Sequence, residues 1–185
     1  MGLGNPGTQY ASTRHNAGFW VLDEVAEAAG VQFQKPFFSS FEWAKAQYPQ
    51  GNLILIKPLT FMNLSGEILD EVVRKFSVTL NNFLVVVDQL DLPPGQLRLK
   101  ASGSPAGHNG LKSLDHFAGT QKYKRLYFGI GRPVEGDIIS WVLGTPSPED
   151  QKILQTSVEL CGSLLPLLLK DSWESVVHEF NRPRD

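Results

Sequence analysis

The chain has a single cysteine, Cys161, which excludes an internal disulfide, and its leucine-rich surroundings predict a buried thiol rather than a reactive one. Apolar runs are short. The longest stretches, such as LLPLLL, fall well below the twenty or so residues that cross a bilayer, and the first residues lack the basic, apolar and small-residue order of a signal peptide. A cytoplasmic protein without membrane contact is expected. Charge is also sparse: charged residues are 19% of the chain and the net charge is −2, which argues against a wholesale polyanion binder but leaves room for a local basic patch. The sequence contains no G-x-S-x-G elbow, no P-loop, no H-E-x-x-H and no paired cysteines. Serine-hydrolase, nucleotide-hydrolase and zinc chemistry therefore have no local support, and water is left as the nucleophile.

What is present suits one ordinary domain over residues 1–185, with 42% hydrophobic residues to build a core. Leu22, Val25, Ala26 and Ala29 share one face of a first helix that Gly30 can end, and Ile68, Leu69, Val72, Val73 and Phe76 stripe a second. NLILIKP (52–58), FLVVVD (83–88), QLRLK (96–100) and RLYFGIG (125–131) read as strands. A short helix after GHNG should carry Leu111, Leu114 and Phe117 inward. Ser147, with Pro148 next and Asp150 three residues on, should cap a helix, and Pro166 should break the chain before a final one. With no repeat or linker, the fold class expected is α/β: a single domain whose twisted, mixed, mostly parallel sheet is flanked by helices, with further helices at the C-terminal end. Almost nothing precedes Gly2, although its loop would normally follow a strand; a start upstream of Met1 is the expected reason.

The opening GLGNPG satisfies G-x-G-x-x-G, yet only Met1 precedes it, Pro6 lacks an N–H, and the next helix signal, Asn16, is nine residues beyond Gly7. A dinucleotide loop is a poor fit, and Pro6 with its glycines better suits a tight turn. Loops poor in charge carry Asn5, His15, Asn16, Asn63, Asp88, His108 and Asn109, most of them beyond strand ends or before helices, where open α/β sheets build sites. Each alone could be a turn residue or cap. Asp88 is the most informative: a carboxylate ending a five-residue apolar run is partly desolvated and needs a donor. A neutral imidazole is a natural one, and His15, with an ordinary pKa near 6.5, is the candidate able to accept a proton from water. Periodicity does not force that pairing. His116 and His178 fall in helical segments and read as core or surface residues.

Taken together, LGNPGTQYASTRHNAGF, KPLTFMNLSGE, VVVDQLDLPPGQLRLK, GHNGLKS and RLYFGIGRP with WVLG resemble the bacterial-type peptidyl-tRNA hydrolases, in order and spacing, from Gly2 to about Glu149. The resemblance implies an esterase that frees peptides from tRNA in stalled translation, as a monomer and without metal or cofactor. It makes His15 the general base, Asp88 its orienting partner and Asn5 a catalytic-site contact to the peptide. Phe61, Asn63 and Asn109 would bind the peptide backbone and the terminal adenosine, and Tyr10 would touch the tRNA. Arg98 and Lys100, alternating onto one strand face, match a clamp for the phosphate near the CCA end and acceptor stem; Lys112, Lys122, Lys124, Arg125 and Arg132 would extend it. Gln89, Pro105, Ala106 and Tyr127 depart from the pattern, as does the short N-terminal stretch. A non-enzymatic RNA-binding relative is the alternative, against which the intact set of Asn5, His15, Asn63, Asp88 and Asn109 speaks.

Overall fold

The computed structural model describes residues 1–182. Three strands form the central sheet in the order β3 (Leu84–Gln89), β5 (Lys124–Gly129) and β4 (Leu97–Lys100), parallel between β3 and β5 and antiparallel between β5 and β4. A hairpin of β1 (Phe41–Tyr48) and β2 (Gly51–Pro58) makes a second sheet. Residues 1–3 link the two sheets: Gly2 donates its N–H to the Ile56 carbonyl at 3.0 Å, and Leu3 donates to the Val86 carbonyl at 2.9 Å. The stub runs parallel to β3 but pairs through one bridge, Gly2 with Val86. The α/β class with flanking helices is as expected. Among the described residues, parallel pairing is confined to β3–β5 and this bridge.

Helices cover both sheet faces. On one, α1 (Ala17–Ala28), α5 (Pro148–Leu164) and α6 (Trp173–Asn181) join Val86, Leu97, Leu99, Leu126 and Phe128 in one apolar core. On the other, α2 (Leu69–Phe76) and α3 (Asn109–Ala118) pack over Val85, Val87 and Tyr127. The alternation of β3, with Val86 to one side and Val85 and Val87 to the other, follows from the period of two in an extended chain. Gly18 permits the tightest approach. A Cβ there would stand 2.4 Å from the Leu3 nitrogen and 2.6 Å from the Val86 carbonyl oxygen, so α1 could not seat against the strand end with any larger residue.

Most expected elements are found within a residue or two, while β1 and the short α4 (Ile138–Val142) are not among them. In FEWAKAQY, alanine, lysine and glutamine dilute the β-branched signal that marks a strand. Ser147 does accept from the Asp150 N–H, Pro148 opens α5, and a 3-10 turn at Leu165–Leu169 follows. Pro148–Leu169, with a mean hydropathy of 1.3, is long and apolar enough by composition to cross a membrane. Its Leu154, Val158, Cys161, Leu164 and Leu165 are instead buried in the core shared with α1. Phe117, expected inward, is 45% exposed on the last turn of α3. The edge of β4 is closed by α6, where the Asn181 amide accepts from the Leu99 N–H at 2.6 Å and donates to its carbonyl at 3.1 Å.

Candidate active site

Three buried valines carry β3 to its last residues, where Asp88 is 5% exposed and requires donors that water cannot supply. Two imidazoles provide them. His15 lies in the 3-10 turn Arg14–Asn16 that leads into α1, and its Nδ1 is 3.0 Å from both carboxylate oxygens. His108 is the N-cap of α3, and its Nε2 is 2.9 Å from Asp88 Oδ1.

The bonds on the far sides of the rings define their roles. His108 Nδ1 accepts the Leu111 N–H at 3.3 Å, so the neutral ring carries its proton on Nε2 and donates it to Asp88. His15 donates through Nδ1, which leaves the Nε2 lone pair without a partner among the described residues, on a side chain that keeps 14% of its surface open. Burial alone would lower the His15 pKa, but the Asp88 charge and hydrogen bond outweigh it and raise the imidazole above its ordinary value. Burial likewise pushes Asp88 up, and the charges and bonds of His15 and His108 more than reverse this, holding the carboxylate below its usual range. The arrangement is an ionised acid that fixes the orientation of one imidazole and leaves that ring's second nitrogen able to accept a proton.

Neutral amides stand beside it. Gly7, at φ 105°, lets the chain turn just after Asn5 and Pro6. Asn5 accepts the Met62 N–H at 2.8 Å through its side-chain oxygen, which ties the GNPG loop to the Met62–Leu64 turn and leaves the amide NH2 as its remaining donor. Asn16 stands at the N-cap position of α1, as its place before the helix suggested, but its side chain makes no cap hydrogen bond. Its side chain accepts from the Asn5 N–H and donates to the Asn5 carbonyl, both at 2.9 Å, and so locks the loop next to His15. Tyr10 and Phe61 meet edge to face with ring centroids 6.4 Å apart. Gly110, beside Asn109, packs so closely that a Cβ would lie 2.6 Å from Met62 Sδ and 3.1 Å from His108 Cε1. The loops bearing Asn5, Phe61, Asn63, His108 and Asn109 thus converge, with Phe61, Asn63 and Asn109 exposed.

The basic residues are dispersed. Arg98 and Lys100 are exposed on β4, two strand spacings or ~10 Å across the sheet from β3. They align with Tyr127 and Arg125 of β5, and hence with Val87 and Val85 of β3, on the face opposite the Asp88 side. Arg125 does not extend a surface patch: it is fully buried against Asp115. Lys124 donates to the Asn81 carbonyl, and Arg132 pairs with Asp91.

His15, Asp88 and His108 also bring three potential metal-ligand atoms within 4.8 Å. The bond from Leu111 keeps His108 Nε2 protonated, a donor rather than a ligand, so the set fits a proton relay better than a cation. His108 as a partner of Asp88 was not assigned from sequence; its only local signal was an imidazole where α3 begins. Two surface hollows, of about 580 and 810 Å3, are lined by none of these three residues.

Comparison with known proteins gives concordant matches. A sequence model of the family described as "Peptidyl-tRNA hydrolase" matches residues 1–185. The peptidyl-tRNA hydrolase of Geobacter sp. (strain M21) is 39% identical over 181 residues, covering 98% of this chain and 96% of the relative. That of Geobacillus kaustophilus (strain HTA426) is 38% identical over 182 residues, covering 98% and 97%. Among solved structures, the crystal structure of peptidyl-tRNA hydrolase from Acinetobacter baumannii superposes with a TM-score of 0.91 at 30% identity, covering 99% of this chain and 93% of that one.

Proposed function

Because the chain belongs to the peptidyl-tRNA hydrolase family, we propose that its hydrolysis of peptidyl-tRNA is driven by His15 as general base, with Asp88 holding the imidazole. The observation that carries this reading is the 3.0 Å approach of His15 Nδ1 to both Asp88 oxygens, which leaves Nε2 as the one basic lone pair of the ring. Water gives its proton to Nε2 as its oxygen attacks the ester carbonyl. The imidazolium formed is stabilised by Asp88, and it returns the proton to the ribose oxygen when the carbon–oxygen bond breaks. No step calls for a metal or cofactor.

Asn5, the third residue assigned to the catalytic centre, directs its amide donor at the peptide. A neutral amide also gives no counter-charge to the cationic α-amino group of free aminoacyl-tRNA, which disfavours that substrate. Asn63 and Asn109, with Phe61, bind the peptide backbone and the terminal adenosine, and a single oriented donor on the developing oxyanion is worth about 3 kcal/mol. Tyr10 contacts the tRNA, and Arg98 and Lys100 contact a phosphate near its CCA end and acceptor stem. The chain acts as a cytoplasmic monomer, in one domain over residues 1–185, of which residues 183–185 lie outside the described structure.

The deciding measurement is release of peptide from N-blocked aminoacyl-tRNA by the purified protein and by His15→Ala. The variant should lose ~10²–10⁴-fold in rate while retaining tRNA affinity. Full activity in His15→Ala would mean that another group is the base, and RNA binding without turnover in the unaltered protein would favour a binding module.

A further inference from the structure

The residue before His15 is the most heavily bonded side chain of the site, and the chemistry above gives it no task. Arg14 is only 5% exposed. Its guanidinium donates through Nη1 to the carbonyls of Thr145 at 3.1 Å and of Trp141 and Gly144, both at 3.4 Å. Nη2 reaches Asp150 at 3.4 Å, the guanidinium carbon lies 3.8 Å from the centre of the Trp141 ring, and the backbone N–H donates to the Gly144 carbonyl at 3.1 Å. An arginine buried this deeply would be costly without such a fan of acceptors. The carbonyls it gathers belong to the end of α4 and the turn after it, where a helix leaves acceptors unsatisfied.

The segment held in this way runs between the supports of the two catalytic side chains. At its start, Ile130 donates its N–H to the carbonyl of Gln89, the residue after Asp88, and the Trp141 indole donates back to the Gly131 carbonyl at 2.9 Å. At its end, Arg14 holds residues 141–145 against the turn that carries His15. Residues 130–145 therefore form a strap from the Asp88 end of β3 and β5 to the His15 turn, and Arg14 is the bolt on the His15 side.

We propose that Arg14 is a positioning residue for the hydrolysis, setting the place of the His15 ring relative to Asp88 by clamping the 141–145 carbonyls. The proposal rests on His15 being the base. Arg14 acts through the adjacent backbone and touches no reacting atom, so its loss should appear in kcat rather than in KM. Displacing a catalytic group by a fraction of an ångström is enough for this.

The test uses Arg14→Lys and Arg14→Gln in the full chain, assayed by release from N-blocked aminoacyl-tRNA, with His15→Ala in parallel. Lysine keeps the charge and its ammonium can still donate to the carbonyls, but it has no second nitrogen to reach Asp150 at the same time and no planar face to lie flat on Trp141. Both variants should lose about tenfold to a hundredfold in kcat, with KM changed less than about twofold. The downfield proton resonance of His15 Nδ1–H should shift or broaden, a signature that a general loss of stability would not produce in a folded sample. If the Arg14 variants fail to fold, Asp150→Asn, which removes only one end of the fan, should give the same pattern in smaller degree. Unchanged kcat and an unchanged resonance, with His15→Ala inactive, would overturn the clamp while leaving the base assignment standing, as would a change confined to KM. Activity in His15→Ala would instead remove the base assignment, and the clamp with it.

Discussion

Two carboxylates, Asp88 buried and Asp115 partly buried, stand in neighbouring parts of the fold and are put to opposite uses. Asp88 ends a strand and faces two imidazoles. Asp115, on α3, faces Arg125 at 3.0 Å and the Tyr123 hydroxyl at 2.5 Å, while Arg125 also donates to the Ser104 carbonyl at 2.9 Å. The Arg125 side chain has no exposed surface, whereas His15 keeps 14% and His108 11%. A guanidinium does not lose its proton near neutrality, and burial together with the bond to Asp115 pushes the Tyr123 phenol far above its ordinary range, against the opposing pull of Arg125. That cluster can only hold. The one around Asp88 has imidazoles as partners, one with an unbonded lone pair, so its proton can move. The closed cluster also serves the open one, since Ser104, tied down by Arg125, lies on the loop that delivers His108.

Replacing one charged group in each cluster should separate these roles. Arg125→Ala leaves Asp115 without its cation and should cost about 3–5 kcal/mol in urea unfolding. Asp88→Asn should leave a folded protein whose peptide release is slower by ~10²-fold or more, through loss of imidazolium stabilisation. Large unfolding in the second and none in the first would reverse the assignment.

Titration sharpens the contrast. As the proposed base, His15 must be neutral, and its pKa is raised, so the rate should climb with pH along a limb centred above ~6.5. In Asp88→Asn, with burial left as the main influence, the remaining activity should rise at lower pH than in the unaltered protein. The same raised pKa adds stability below the unfolded value, an increment that disappears as pH rises through the folded one. Tyr123→Phe removes one hydrogen bond of the closed cluster and should cost ~1 kcal/mol with the release rate unchanged. The smallest effect is expected from Arg98→Ala with Lys100→Ala: weaker tRNA binding, with a salt slope reduced by about two, would support phosphate contacts on β4. An unchanged slope would assign the pair to a solvated strand face.

Much of this was legible in the chain. The run into Asp88 reads as a strand ending in a desolvated acid, the stripes of α1 and α2 follow from helical spacing, the start of α5 from Ser147 and Pro148, and the GNPG turn announces itself through proline and glycine. The failures are instructive. Phe117 shares the helical phase of Leu114, but on the last turn of α3 it is only partly covered. Arg125 reads as a surface cation because its strand pattern does not reveal that Asp115, ten residues earlier on a helix, waits beneath it. Asn16 has the features of a cap, yet its amide is taken by Asn5.

By itself the sequence determined the local conformations and the residue types available for chemistry, because turn geometry, propensity and apolar period act over a few neighbouring residues. Tertiary structure alone decided that His15 meets Asp88 across 73 positions and His108 across 20, and that Arg14 faces inward. Those contacts depend on which strands lie side by side and how closely helices seat on them, and that outcome is set by the burial of the whole core rather than by any one segment.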